Sequence, residues 1–180
     1  MTAPLPIAEG IRPRILVIMG VSGCGKTTIA EGLQNTLGWP YEEGDRLHPA
    51  ANVEKMASGI PLTDEDRWPW LDRCRTWIDG HARDGGILTC SALKRSYRDR
   101  LRSGGSDVLF VYLKVPEFVL RDRLAHRTGH YMPPSLLPSQ LATLEEPGED
   151  EAALWIEVQH TPAEAVARVI GMLRARDGVV

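Results

Sequence analysis

A chain of 180 residues, 43% of them hydrophobic and with a net charge of −3, suits one domain with a sizeable core and offers no basic field to nucleic acid or an anionic membrane. No run reaches the roughly 20 apolar residues of a bilayer span, and the start of the chain, with Pro4, Pro6 and Glu9, lacks the basic and apolar regions of a secretory signal. The cysteines, Cys24, Cys74 and Cys90, are too few and too irregularly spaced for a disulfide framework or a zinc site, which makes free thiols and a cytoplasmic setting the default.

Residues 1–13 read as a flexible lead-in, and 14–180 as a single domain. "RILVIMG" (14–20) is a β-branched apolar run ending in glycine, the pattern of a buried strand. In "KTTIAEGLQNTLG" (26–38), Ile29, Leu33 and Leu37 recur at helical spacing and Gly38 supplies the stop. "WPYEEGD" (39–45) predicts a second short strand running into a loop, and "AANVEKMASG" (50–59) a short helix closed by Gly59. Thr63, with Asp66 three residues on, caps a helix to about Arg83, with Pro69 in its first turns and Leu71, Cys74, Trp77, Ile78 and His81 on one face.

"GGILTCS" (85–91) and "DVLFVYLKV" (107–115) predict two more buried strands around a polar helix in "KRSYRDRLRSGG". "PEFVLRDRLAHR" (116–127) places proline at the first helical position, and "TGHYMPPSLLPS" (128–139) reads as irregular. A last strand, "LWIEV" (154–158), precedes a helix over 161–176 with a Thr161 cap, Pro162 and Glu164 completing a capping box. Strands alternate with helices throughout, so the fold class is α/β, a mostly parallel sheet covered on both faces.

"GVSGCGKTT" (20–28) fits Gly-x-x-x-x-Gly-Lys-Thr between a strand and a helix, the context a phosphate-binding loop requires. Backbone N–H groups at a helix N-terminus solvate phosphate charge, and Gly20, Gly23 and Gly25 let the chain approach it. The loop residues Gly20, Val21, Ser22, Gly23, Cys24, Gly25, Lys26, Thr27 and Thr28 are therefore the candidate ATP site. Lys26 reaches the β- and γ-phosphates and the Thr27 hydroxyl ligates Mg²⁺.

A GTPase switch fits poorly, because neither Asn35 nor Asn52 is followed by lysine and no Asp-x-x-Gly occurs. A motor or transporter ATPase fits poorly too, because "ILTCS" and "VLFVYLKV" do not end in Asp. A P-loop small-molecule kinase is what remains.

The segments "EGDRLHPAANVEKMASGIPLTDEDRWPWL", "CSALKRSYRDRLR", "VYLKV" and "RTGHYM", in that order after the phosphate loop, resemble the gluconokinases over roughly residues 14–160. The resemblance implies transfer of the ATP γ-phosphate to D-gluconate. It implies a five-stranded parallel P-loop NTPase sheet of the shikimate-kinase and nucleoside-monophosphate-kinase type, flanked by helices and carrying a mobile lid. It also implies a homodimer.

In that frame Asp45, just beyond the second strand, orients the acceptor hydroxyl as general base. The chain has Glu43-Gly44-Asp45 where the family often has Asp-Gly-Asp, and Glu43 is placed to reach a magnesium-bound water. Lys94 and Arg98, four apart on one helical face, together with Arg67, hold the carboxylate end, and His48 meets hydroxyls. The substrate segment is about 43–84 and the lid about 123–143, with Arg123 and Arg127 closing over ATP. For Trp68, Trp70 and Trp77, core packing is the better reading than pocket lining. The loop before Thr161 is the place for adenine. A kinase for another hydroxy acid such as shikimate, a monophosphate kinase, and a nucleotide-binding regulatory module with little turnover are the alternatives.

Overall fold

A computed structural model describes residues 8–129, 133–157 and 161–179. Five parallel strands, β1 (Ile15–Met19), β2 (Tyr41–Glu43), β3 (Gly86–Thr89), β4 (Val108–Lys114) and β5 (Ala153–Glu157), form one sheet in the order β2-β3-β1-β4-β5. β1 is central, with Ile15 opposite both Gly86 and Val108, and every residue of it is buried. A strand flanked on both edges and covered on both faces has no solvated side, hence its unbroken apolar run. β5, at the edge, alternates buried and exposed positions instead.

Helix α1 (Lys26–Leu37) packs on α7 (Pro162–Asp177), and α3 (Asp64–His81) packs on α4 (Arg95–Arg102). Between them stand α2 (Ala50–Ala57), α5 (Glu117–Ala125) and α6 (Leu137–Thr143). Thr63 and Thr161 cap α3 and α7 with complete capping boxes, as their spacing predicts. Thr63→Ala is expected to cost about 1 kcal/mol in urea unfolding, since it leaves a first-turn amide without its partner. Asp66, bonded by Lys55 and by the Thr63 amide, is held down at about 2. Its contribution is present above an unfolded value near ~3.9 and fades as pH falls toward the lowered one.

Three expectations are corrected. Ala8 and Ile11 are buried in the core and the Arg12 amide donates to Asp177, so the lead-in over 1–13 is packed from residue 8 onward. Pro116 is the N-cap of α5 rather than its first helical residue. The stretch 128–139 contains a 3₁₀ turn, Pro134–Leu136, and the start of α6. Pro134 and Pro138 occupy first-turn positions, where a missing N–H costs no hydrogen bond. Trp77, as expected, packs against the core, partly buried and stacked on His81, while Trp70 is fully buried on α3. Val158 lies outside the described residues, as do His130, Tyr131 and Met132 of the "RTGHYM" segment. The three cysteines are free and buried.

Candidate active site

The carboxyl ends of β1, β2 and β3 open onto one cleft of about 270 Å³. Two local features build it. Gly25, with φ 99°, turns the chain from the β1 loop into α1, a conformation that strains any residue with a Cβ. Gly44 passes so close to β3 that an added Cβ would lie 2.0 Å from the Thr89 carbonyl oxygen. Only glycine allows that approach, and it carries the next residue, Asp45, into the cleft.

The phosphate loop supplies Ser22, Gly23, Gly25, Lys26, Thr27 and Thr28 to the cleft wall. Gly20 closes β1 and is hydrogen-bonded to Ser91, whereas Val21 and Cys24 turn into the core. Lys26 Nζ donates to the carbonyls of Gly20 (3.0 Å) and Val21 (3.2 Å), which lays the ammonium along the inside of the loop.

Glu43 ends β2 beneath that loop. Its carboxylate accepts from Thr27 Oγ1 (2.8 Å), Tyr41 Oη (2.6 Å) and Thr89 Oγ1 (2.5 Å). Burial alone would raise its pKa, but the hydroxyls of Thr89, Tyr41 and Thr27 and the Lys26 charge outweigh it and hold Glu43 below the usual range. Burial and the Glu43 charge push the Tyr41 phenol up.

Asp45 stands at the start of the 3₁₀ turn Gly44–Leu47, with Oδ1 4.0 Å from His48 Nε2. The His48 ring stacks on Trp70 at 4.1 Å and is pushed down to about 3 by burial and by the Arg67 charge. Trp70 is both core and wall: it is 1% exposed, lines the cleft and donates Nε1–H to the Gly44 carbonyl. Arg67 also lines the cleft and donates to Tyr97 Oη at 2.8 Å. Tyr97 bonds Asp64, which accepts from Lys94 Nζ.

Two expected substrate contacts are not brought into the cleft. Lys94 is the extended N-cap of α4, with φ −103° and ψ 150°, and is paired with Asp64 rather than facing the cavity. Arg98 is fully buried and bidentate on Glu151, at 2.6 and 2.9 Å, with a third bond to the Ala92 carbonyl. The two therefore share no helical face, and Arg98 is a structural support.

Arg123 from α5 reaches the carbonyls of Gly23 and Cys24, and Arg127 reaches Ser22 Oγ, all at 3.3 Å. Sequence reasoning missed Gln140 on α6, whose Oε1 accepts the Ser22 amide at 2.6 Å. It also missed the apolar end of the cleft, where Met56 and Leu62 pack with Leu136. The glutamine had no motif to mark it and directly follows a stretch that reads as irregular.

Lys26, Arg67, Arg123 and Arg127 line the cleft together with Glu43 and Asp45. This surplus of positive charge suits a polyanion beside a hydroxyl-reading corner. No helix among the described residues is long and apolar enough to cross a membrane.

Comparison with known proteins agrees. The family model described as an AAA domain matches residues 16–133. The gluconokinase of Gluconobacter oxydans (strain 621H) is 52% identical, covering 93% of this chain and 96% of its own. The thermoresistant gluconokinase of Escherichia coli (strain K12) is 42% identical over 84% of this chain and 88% of that protein. The crystal structure of a gluconokinase from Sinorhizobium meliloti 1021 superposes with a TM-score of 0.81 at 44% identity, covering 92% of this chain and 94% of that one. The shikimate kinase of Aquifex aeolicus, at 14% identity and a TM-score of 0.58, shares the fold alone. With a phosphate loop and an acid-histidine corner on one cleft, and relatives this similar over nearly their whole length, the chain belongs to the gluconokinase family.

Proposed function

We propose that the protein transfers the γ-phosphoryl group of ATP to the 6-hydroxyl of D-gluconate, giving 6-phospho-D-gluconate and ADP. The observation that carries this reading is the single cleft shared by the phosphate loop and by Asp45, His48 and Arg67. Loop amides and Lys26 hold the nucleotide's phosphates. Asp45 accepts the proton of the hydroxyl and aims its oxygen at the γ-phosphorus. Arg123 and Arg127, at the start of a lid over about 123–143, spread the charge that moves during transfer. Arg67 holds the anionic end of the acid.

The reading includes Mg²⁺ with the ATP, as the phosphate-loop threonine suggests, a cytoplasmic setting, the default for sparse free thiols, and a homodimer, as the resemblance implies. Thr27 and Glu43 fit such an ion: adjacent hard oxygen donors beside the phosphate loop, with no cage of three or more His, Cys, Asp or Glu among the described residues. Mg²⁺ takes most of its ligands from phosphates and water, and when bound it neutralises phosphate charge. The adenine position proposed before Thr161 falls on 158–160, outside the described residues.

Coupled ADP release with gluconate, shikimate and AMP as acceptors tests the assignment. Turnover is expected with gluconate; turnover only with shikimate or AMP, or none with any acceptor, overturns it.

A further inference from the structure

We infer that Asn52 is a positioning residue that locks His48 into a single neutral tautomer, so that the cleft wall beside Asp45 presents a hydrogen-bond donor. Asn52 lies on α2 and is 4% exposed. Its Nδ2 is 2.8 Å from the Asp66 carbonyl oxygen and 3.2 Å from His48 Nδ1.

A backbone carbonyl can only accept, so the atom facing Asp66 is the amide nitrogen, and this sets the orientation of the Asn52 side chain. That nitrogen carries two hydrogens. One goes to Asp66, so the other points at His48 Nδ1, which must then be the acceptor. A neutral imidazole that accepts at Nδ1 carries its hydrogen on Nε2.

Nε2 is 4.0 Å from Asp45 Oδ1, and both side chains line the cleft. The charged groups facing the ring are Asp45 from the turn after β2 and Arg67 from α3. Stacking on Trp70 fixes the ring plane. The separation is too long for a direct hydrogen bond but lets one oxygen lie against both groups. A hydroxyl there donates to the carboxylate and accepts from Nε2–H. A carbonyl or a methyl group cannot do both. Asn52 thus acts through His48 to make this corner selective for an alcohol.

Identifying that alcohol as part of gluconate rests on the proposed function; the tautomer does not. The decisive measurement is a long-range ¹H–¹⁵N spectrum of the ligand-free full chain, with an Asn52→Ala variant beside it. His48 is expected as the Nε2–H form, with shifts flat from about pH 5 to 8. An Nδ1–H form, or titration near ~6.5, overturns the inference even if gluconate is turned over.

In Asn52→Ala both tautomers are expected. The KM for the acceptor should rise about tenfold while the KM for ATP stays near its parent value. An unchanged acceptor KM overturns the positioning role. Should the variant not fold, the parent spectrum decides.

Discussion

Replacing Asp45 with asparagine is expected to lower kcat at least ~100-fold while leaving ATP affinity near that of the parent. Two carboxylates line the cleft, and their surroundings separate their roles. Glu43 accepts from three hydroxyls and is held below its usual range, which makes it a poor proton acceptor. Asp45 is 31% exposed in its side chain, next to a His48 that burial keeps neutral. Asparagine preserves the size and one acceptor oxygen but cannot take a proton. The phosphate loop has its own hydrogen bonds, so the nucleotide should still bind. Calorimetric ATP affinity and coupled ADP release separate the two effects. Near-parent turnover would place the proton elsewhere and make Glu43→Gln the next variant.

The parts of the fold that were legible depend on neighbours in sequence. Strand, loop and helix over residues 14–38 follow from an apolar run, glycines and a 3.6-residue period, all local signals. The capping boxes at Thr63 and Thr161 are local too. Pairings across the chain were not legible. Arg98 finds Glu151 and Asn52 finds Asp66 only once the sheet and helices have packed, at separations of 53 and 14 residues. The spacing of Lys94 and Arg98 suggested one helical face, yet helix α4 begins at Arg95, which leaves Lys94 outside it. Gln140 was hidden by three nearby prolines that read as breakers, although two of them start helical turns. Asp45, Arg67, His48 and the phosphate loop, by contrast, do meet in one cleft. The resemblance supplied Asp45, Arg67 and His48, because no local period points at a cavity.

Arg98→Ala carries the second large effect, and it is an effect on stability. The guanidinium is wholly buried and its partner Glu151 is 2% exposed in its side chain, so truncation strands a buried carboxylate. Breaking such a pair costs about 3–5 kcal/mol. At roughly 2–4 °C per kcal/mol for a chain of this size, Tm should fall by about 10 °C. Arg102 lies 3.6 Å from Glu151 and compensates only in part. The Ala92 carbonyl also loses its donor, and Ala92, with φ 47°, holds a left-handed turn that costs a non-glycine residue energy.

The direction with pH follows from Glu151, which the Arg98 hydrogen bonds hold below the usual carboxylate range. Its stabilisation is complete above the unfolded value and is lost as pH falls through the lowered one, so parent and variant should converge in acid. Exchanging both partners for apolar residues, Arg98→Met with Glu151→Leu, should recover most of the loss, because no unpaired carboxylate is left buried. A substrate-binding arginine would behave in the opposite way, with an unchanged Tm and a raised acceptor KM. A parental melting curve for Arg98→Ala would therefore return this residue to the cleft.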